Sequence, residues 1–384
     1  MRVLAPLLFA GVVLAQDAPH LAREAPPAAK VSVGEAIKSG VAFLIANQNK
    51  NGSFGARTDG RIWGITASVP GAHHAFQVAT TGLCWMGLDE TGDRSEACRT
   101  AKRKALRWLV DHARAKRSRP WELYNTWSQA YGLQALSQAL RTKQFEGVPE
   151  KEVRAAAEEL IKAIGKYQTP DGGWGYYDFR YKAAKPEWST SFSTATMLVA
   201  LHEAEAAGLK VPSGIVDRAC VNVQRCRKPD ATYLYGLYAR YWPNGGVNKA
   251  AGSSMRDPAC TLALRLFGRD VDAGDVGTIF ERLVKQHRFA VAGVRRPIPH
   301  ESWYQVSGYF YLYGHLYASM LTTHLTAESR PFYARKIADF VLKTRQPDGS
   351  FWDYPLYGYH KFYGTGYALM TLARCKRALA EAEE

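Results

Sequence analysis

The stretch that decides the fold is Gln168-Thr169-Pro170-Asp171-Gly172-Gly173-Trp174. Asp-Gly after Pro is strong turn chemistry, because Gly takes positive φ at little cost. The neighbouring Gln carries both a donor and an acceptor, so it can tie loose backbone groups at a helix end. The aromatic can then cover that polar joint. The same arrangement returns at Gln48-Asn49-Lys50-Asn51-Gly52-Ser53-Phe54 and at Gln346-Pro347-Asp348-Gly349-Ser350-Phe351. Gln48, Gly52, Phe54, Gln168, Gly172, Trp174, Gln346, Gly349 and Phe351 therefore read as structural turn residues.

Working outward, each turn follows a helical run. Weaker echoes occur at Gln224 and Gln286, and the successive Gln spacings are 120, 56, 62 and 60 residues. The first is double the rest, which predicts a degenerate repeat midway, at 105–112, that has lost the turn. Six units of about sixty residues follow, each long enough for two helices. Val153, Ala156, Ala157, Leu160, Ile161, Ile164 and Tyr167 form an amphipathic stripe, the mark of a half-exposed helix. Ser193 to Leu201 and Tyr309 to Leu321 are apolar or small almost all round, the mark of an enclosed one. Six such pairs predict an all-α toroid: an inner barrel of helices inside an outer helical ring. An open superhelix is the competing arrangement.

The chain has 384 residues, 47% of them apolar and 12% aromatic, with 21 Tyr. The first 15 residues read as a signal peptide, with a basic start, an apolar run and a cut near Ala15. Residues 16–33 read as a flexible linker, and 34–380 as one toroid domain. Export to the periplasm or medium is expected. No later apolar run is long enough to predict a transmembrane helix. The formal charge is +15, densest over residues 99–119. No recognition helix carries it, so nucleic acid is not expected as a partner. A solvated basic face or peripheral contact with an anionic membrane fits better. Six cysteines match no zinc spacing, and buried free thiols or disulfides are both open.

On these residues the chain resembles the QW-repeat proteins, the squalene and oxidosqualene cyclases and protein prenyltransferase β subunits. Gln168-x3-Gly172-x-Trp174 matches their repeat, and the other two turns are close variants. The resemblance implies an α/α toroid. The cyclases' Asp-x-Asp-Asp motif is absent. Where the prenyltransferases place an Asp-x-Cys zinc pair this chain reads Glu301-Ser302-Trp303-Tyr304, although Tyr359-His360-x-x-Tyr363 resembles their His segment. No metal or cofactor is therefore expected, and the activity is left open.

In a ring, polar residues at the starts of inner helices converge on one mouth. Asp178, Glu301, Asp353 and His360 are the candidate catalytic groups, since facing carboxylates can do acid–base chemistry. His73, His74, Glu122, Trp127, Tyr177, Trp188, Trp303, Tyr304 and Tyr357 are candidate ligand contacts. Three functions are compatible with this pattern. One is binding, and transformation, of an apolar or isoprenoid-like ligand, with cation–π support from the rings. Another is a carbohydrate-active hydrolase or lyase. The last is a non-catalytic binding or assembly module.

Overall fold

A computed structural model of the chain describes residues 31–57, 70–115, 125–176, 188–269, 271–296, 309–355 and 358–381. Among the described residues, twelve helices longer than two turns alternate between two layers. The outer ones are α1 (Val33–Asn47), α3 (Glu96–His112), α5 (Glu150–Tyr167), α7 (Ser213–Cys226), α9 (Ala273–Gly293) and α11 (Arg330–Leu342). The inner ones are α2 (Pro70–Glu90), α4 (Asn125–Thr142), α6 (Ser191–Ala206), α8 (Asp257–Leu266), α10 (Tyr311–Leu321) and α12 (His360–Ala380). Among the described residues the only β pairing is two isolated bridges.

The inner helices close a ring. Each packs on the next, α2 on α4 through to α10 on α12, and α12 returns to α2. Two glycines let α2 approach both neighbours. A Cβ on Gly82 would lie 2.5 Å from the Tyr131 carbonyl oxygen, and one on Gly366 would lie 2.7 Å from that of Leu83. Closure answers the apolar pattern. Ser191 through Leu201 of α6 are all buried, so that helix needs neighbours on every side. On outer α5 only the stripe Val153, Ala157, Leu160, Ile161 and Ile164 is buried. Reciprocal capping boxes, Ser32 with Glu35 and Asp272 with Asp275, start α1 and α9.

The Gln turns join one unit to the next. Gln48 Nε2 donates to the carbonyls of Gly52 in its own turn and Ala101 on α3, both at 2.9 Å. Gln168 Nε2 donates likewise to Gly172 (2.7 Å) and to Ile215 on α7 (2.8 Å). Gln346 Nε2 reaches only the Thr344 carbonyl, at 2.7 Å. Phe54, Trp174 and Phe351 are fully buried beneath these joints. Gln224 and Gln286, the weaker echoes, lie inside α7 and α9 and make no such turn. The fourth turn is instead Arg227-Lys228-Pro229-Asp230-Ala231-Thr232-Tyr233. Its Arg227–Tyr233 bridge matches Arg345–Phe351, with Lys228 replacing Gln and Ala231 held at φ +58° where the others have Gly. The expected turnless unit is α3, which ends at His112.

All six cysteines are free and buried. Among the described residues no helix is long and apolar enough to cross a membrane. The basic stretch on α3 is threaded with acids. Lys102 is buried between Asp89 (3.0 Å) and Glu146 (3.1 Å), and Arg107 pairs with Asp111 and Glu152, both at 2.5 Å.

Candidate functional site

The outer-to-inner connections (48–69, 113–124, 168–190, 227–256, 294–310 and 343–359) are long, and the inner-to-outer ones are short. The N-termini of the six inner helices, with the described residues that lead into them, therefore gather at one end of the ring. The site is built there from aromatic residues spaced four apart, sharing a helix face on α4 and α12 and spanning the start of α10.

Trp127, Tyr309 and Tyr363 are the upper rungs and are half-buried, while Tyr131, Tyr313 and Tyr367 one turn below are buried. The lower tyrosines fill the ring, and two of them bond to each other. Tyr367 donates to the Tyr131 hydroxyl at 2.6 Å, and Tyr313 donates to the Phe192 carbonyl at 3.1 Å. Desolvation drives all three phenols far above their ordinary pKa, so they stay neutral. Below the mouth the ring is thus packed core.

Above that floor lies an aromatic platform. The Trp127 ring stacks on Tyr131, Tyr176 and Phe192 at centroid distances of 6.2, 6.3 and 6.1 Å. Phe192 meets Tyr235 and Phe310 edge-on at 5.2 and 4.7 Å. The Tyr176 and Tyr235 hydroxyls share a 2.5 Å hydrogen bond. Across the mouth, Tyr359 packs on Phe76 at 5.7 Å and its hydroxyl bonds His73 Nδ1. Tyr354 meets Tyr309 at 4.9 Å.

Among the described residues, two buried carboxylates stand at this end. Asp353 Oδ2 accepts from Leu312 N of α10 (3.2 Å), while Oδ1 accepts from Tyr354 N (3.0 Å) and the Tyr363 hydroxyl (3.2 Å). Burial pushes its pKa up to about 6 against the pull of those donors. Asp257 accepts from Tyr233 N (3.0 Å), Ser253 Oγ (3.1 Å) and Arg282 Nη1 (3.3 Å), and burial likewise raises it to about 6. Both carboxylates hold backbone at the start of an inner helix or in the adjoining turn.

Behind the platform sits Arg256, fully buried. Its Nη1 and Nη2 donate to the carbonyls of Gly252 and Val247, both at 2.7 Å. The guanidinium carbon lies 5.0 Å from the centre of the Tyr235 ring and 5.6 Å from that of Phe310.

Of the residues singled out in the sequence, Trp127 is central to the platform and His73 lies across from it. Trp188 stands at the outer rim, 43% exposed, with its ring 5.5 Å from Tyr238. His74 is turned aside: it packs edge-on to Trp108, its Nε2 donates to the His112 carbonyl at 2.9 Å, and burial lowers its pKa. His360 opens α12 edge-on to Trp352, at 5.2 Å. Asp178, Glu301, Glu122, Tyr177, Trp303, Tyr304 and Tyr357 lie outside the described residues. Among those described, no group of three or more His, Cys, Asp and Glu could hold a metal ion. Arg256 and Phe192 were missed by sequence reasoning, and nothing sets Arg256 apart among 50 Lys and Arg residues.

No protein-family model matches the chain, and no curated protein matches it in sequence. Solved structures do match in shape. A type II terpene cyclase, MstE, from Scytonema shares 12% identity, with 90% of this chain and 98% of that one covered, at TM-score 0.51. The α-1,6-mannanase GH76A from Salegentibacter sp. HEL1_6 shares 11%, covering 90% and 100%, at TM-score 0.56. A D-mannose isomerase shares 12%, covering 91% and 97%, at TM-score 0.54. The chain has the α/α-toroid fold that these proteins share. The squalene-cyclase-like resemblance holds at the level of fold.

Proposed function

We propose that this protein is an exported toroid that binds a saccharide at the loop end of its ring. The observation that supports the reading is the platform of Trp127, Tyr176 and Tyr235, half-buried over the buried Phe192 ring and a floor of packed tyrosines. A sugar ring has an apolar face, which stacks on aromatic carbon, and hydroxyl edges, which meet phenols. Aromatic rings with paired hydroxyls at their rim suit such a ligand. Asp257 and Asp353 are each engaged by backbone N–H groups together with side-chain donors, so binding rather than acid–base chemistry is the function the described residues support.

An apolar or isoprenoid-like ligand is the second reading. It is favoured by the Gln168-x3-Gly172-x-Trp174 signature and by the fold shared with a terpene cyclase. The buried tyrosines weigh against it, because they occupy the volume in which a long apolar chain would coil. Titration calorimetry against a panel of oligosaccharides tests the first reading, and native mass spectrometry of the purified protein tests the second. Trp127→Ala should weaken saccharide binding by about tenfold or more. A co-purifying prenyl lipid together with no saccharide binding would overturn the proposal. Export is tested separately, by sequencing the N-terminus of the protein recovered from outside the cytoplasm, which should begin close to Gln16.

A further inference from the structure

The longest connection, residues 227–256 between α7 and α8, is tied down from within. Buried Asn248 accepts from Tyr235 N at 2.8 Å and donates to the Trp242 carbonyl at 2.9 Å. Lys228 Nζ binds the Asn248 carbonyl at 2.9 Å and that of Pro243 at 3.2 Å. This braced segment nevertheless holds Tyr238, Tyr241 and Trp242 at 39%, 70% and 68% exposure. Exposed large rings this near one another in the chain mark an interaction surface more readily than scattered ones do. Tyr238 also continues inward. Trp188 packs on Tyr238 at 5.5 Å, Tyr238 lies 6.5 Å from Tyr235, and Tyr235 leads through Phe192 to Trp127. One track of rings thus runs from the outer rim to the platform.

The connection that carries most of this track is basic. Residues 227–256 carry five Arg or Lys (Arg227, Lys228, Arg240, Lys249 and Arg256) and one carboxylate, Asp230. Arg227 is paired with Asp275. Arg240 and Lys249 are exposed, with the Arg240 guanidinium 4.7 Å above the Tyr241 ring. Arg256 lies behind Tyr235 and Phe310 with its Nε–H unpartnered. The carboxylate nearest it in sequence, Asp257, already pairs with Arg282. Among the described residues, Arg256, Arg282 and Lys228 stand around two carboxylates, Asp257 and Asp230, and leave one net positive charge behind the platform, in a medium that screens it poorly.

We propose that the track binds an anionic, carboxylate-bearing saccharide chain. Its ring faces lie on Trp188, Tyr238 and Tyr235, and its charges lie toward Arg240, Lys249 and the field of Arg256. This inference rests on the saccharide reading above and adds the ligand's charge and length. The test is calorimetry of the full mature chain against oligogalacturonate and hyaluronan oligosaccharides. Each is paired with its carboxyl-reduced, neutral counterpart, and neutral glucans and mannans are run alongside. The acidic chain should bind about tenfold or more tightly than its reduced form. Arg240→Gln and Lys249→Gln, both at exposed positions, should each cut that preference about two- to five-fold. Added salt should shrink it. Tyr238→Ala should weaken hexasaccharides while leaving disaccharides unchanged. Equal affinity for acidic and reduced chains overturns the anionic assignment and leaves the saccharide reading standing. Equal loss for short and long chains in Tyr238→Ala overturns the track. Failure of every saccharide to bind overturns both readings together.

Discussion

Gly349→Ala should open the joint that closes the ring. Gly349 sits in the turn after α11 and faces α1, the first outer helix, so it joins the last unit to the first. Its φ is +86°, and a Cβ there would lie 2.6 Å from the Ser39 carbonyl oxygen and 3.1 Å from the carbonyl carbon. Two costs combine. The left-handed backbone costs an L-residue about 1–2 kcal/mol, offset by about 0.4–1 kcal/mol from stiffening the unfolded chain. Forcing a methyl against backbone adds about 1–3 kcal/mol, because the partner is no flexible side chain that can swing away. The expected loss is about 2–4 kcal/mol. Unfolding entropy for a domain of this size is roughly 0.7 kcal/mol per degree, so Tm should fall by about 3–6 °C. Gly147→Ala is the matched control: its φ is +92° and nothing lies within 4 Å of the added atom. It carries only the conformational part and should lower Tm by about 1 °C. Scanning calorimetry of both variants at one scan rate measures the difference. Equal losses in the two would refute the claim that close contact with α1, rather than backbone conformation, makes glycine necessary at 349.

Three further outcomes follow from the same geometry. Ala231→Gly should raise Tm by about 1 °C, since Ala231 is held at φ +58° in the turn position that the three Gln turns fill with Gly; a fall would show that the methyl packs usefully. Asp353→Asn keeps one acceptor but turns an amide N–H toward a backbone N–H, so urea unfolding at pH 7 should show a loss of about 1–3 kcal/mol, and an unchanged midpoint would contradict the capping role. The third concerns acid. His287 donates to the Tyr311 hydroxyl at 3.0 Å and His315 bonds the Tyr311 carbonyl at 2.6 Å. Burial pushes their pKa values down to about 4 and about 3. The unfolded chain takes up those protons first, so their contribution is full above pH 6.5 and is lost as pH falls toward 3. Asp353 and Asp257 act in the opposite sense, since raised carboxylates lose stability as pH climbs from 3.8 to about 6. His315→Leu should therefore flatten the acid limb of a stability–pH curve, and an unaltered slope between pH 6.5 and 4 would refute the assignment.

Turn chemistry is local, and it was legible. Pro-Asp-Gly needs only its own backbone, and the buried aromatic two residues after Gly lies where the pattern puts it in all three turns. The all-round apolar character of α6 and α10 likewise required enclosure. Reading failed where one residue replaced another in the same geometry. At the fourth turn Lys228 and Ala231 stand where the pattern has Gln and Gly, and the nearby Gln224 is merely helical. It failed again where partners come from far along the chain. Asp353 resembles a catalytic acid in sequence, yet its Oδ2 is held by the amide of Leu312, 41 residues away. No local pattern could announce that contact.

By itself the sequence determined the helices, their pairing into six units and the joints between neighbours, because each depends on residues within about one turn or one repeat. Only the tertiary structure decided that α12 returns to α2, that tyrosines from separate helices fill the ring, and that Arg256 comes to lie behind Tyr235 and Phe310. Those arrangements depend on side chains from different units meeting in space. The mouth is defined by such meetings, which is why its scaffold could be read from the repeat and its chemistry could not.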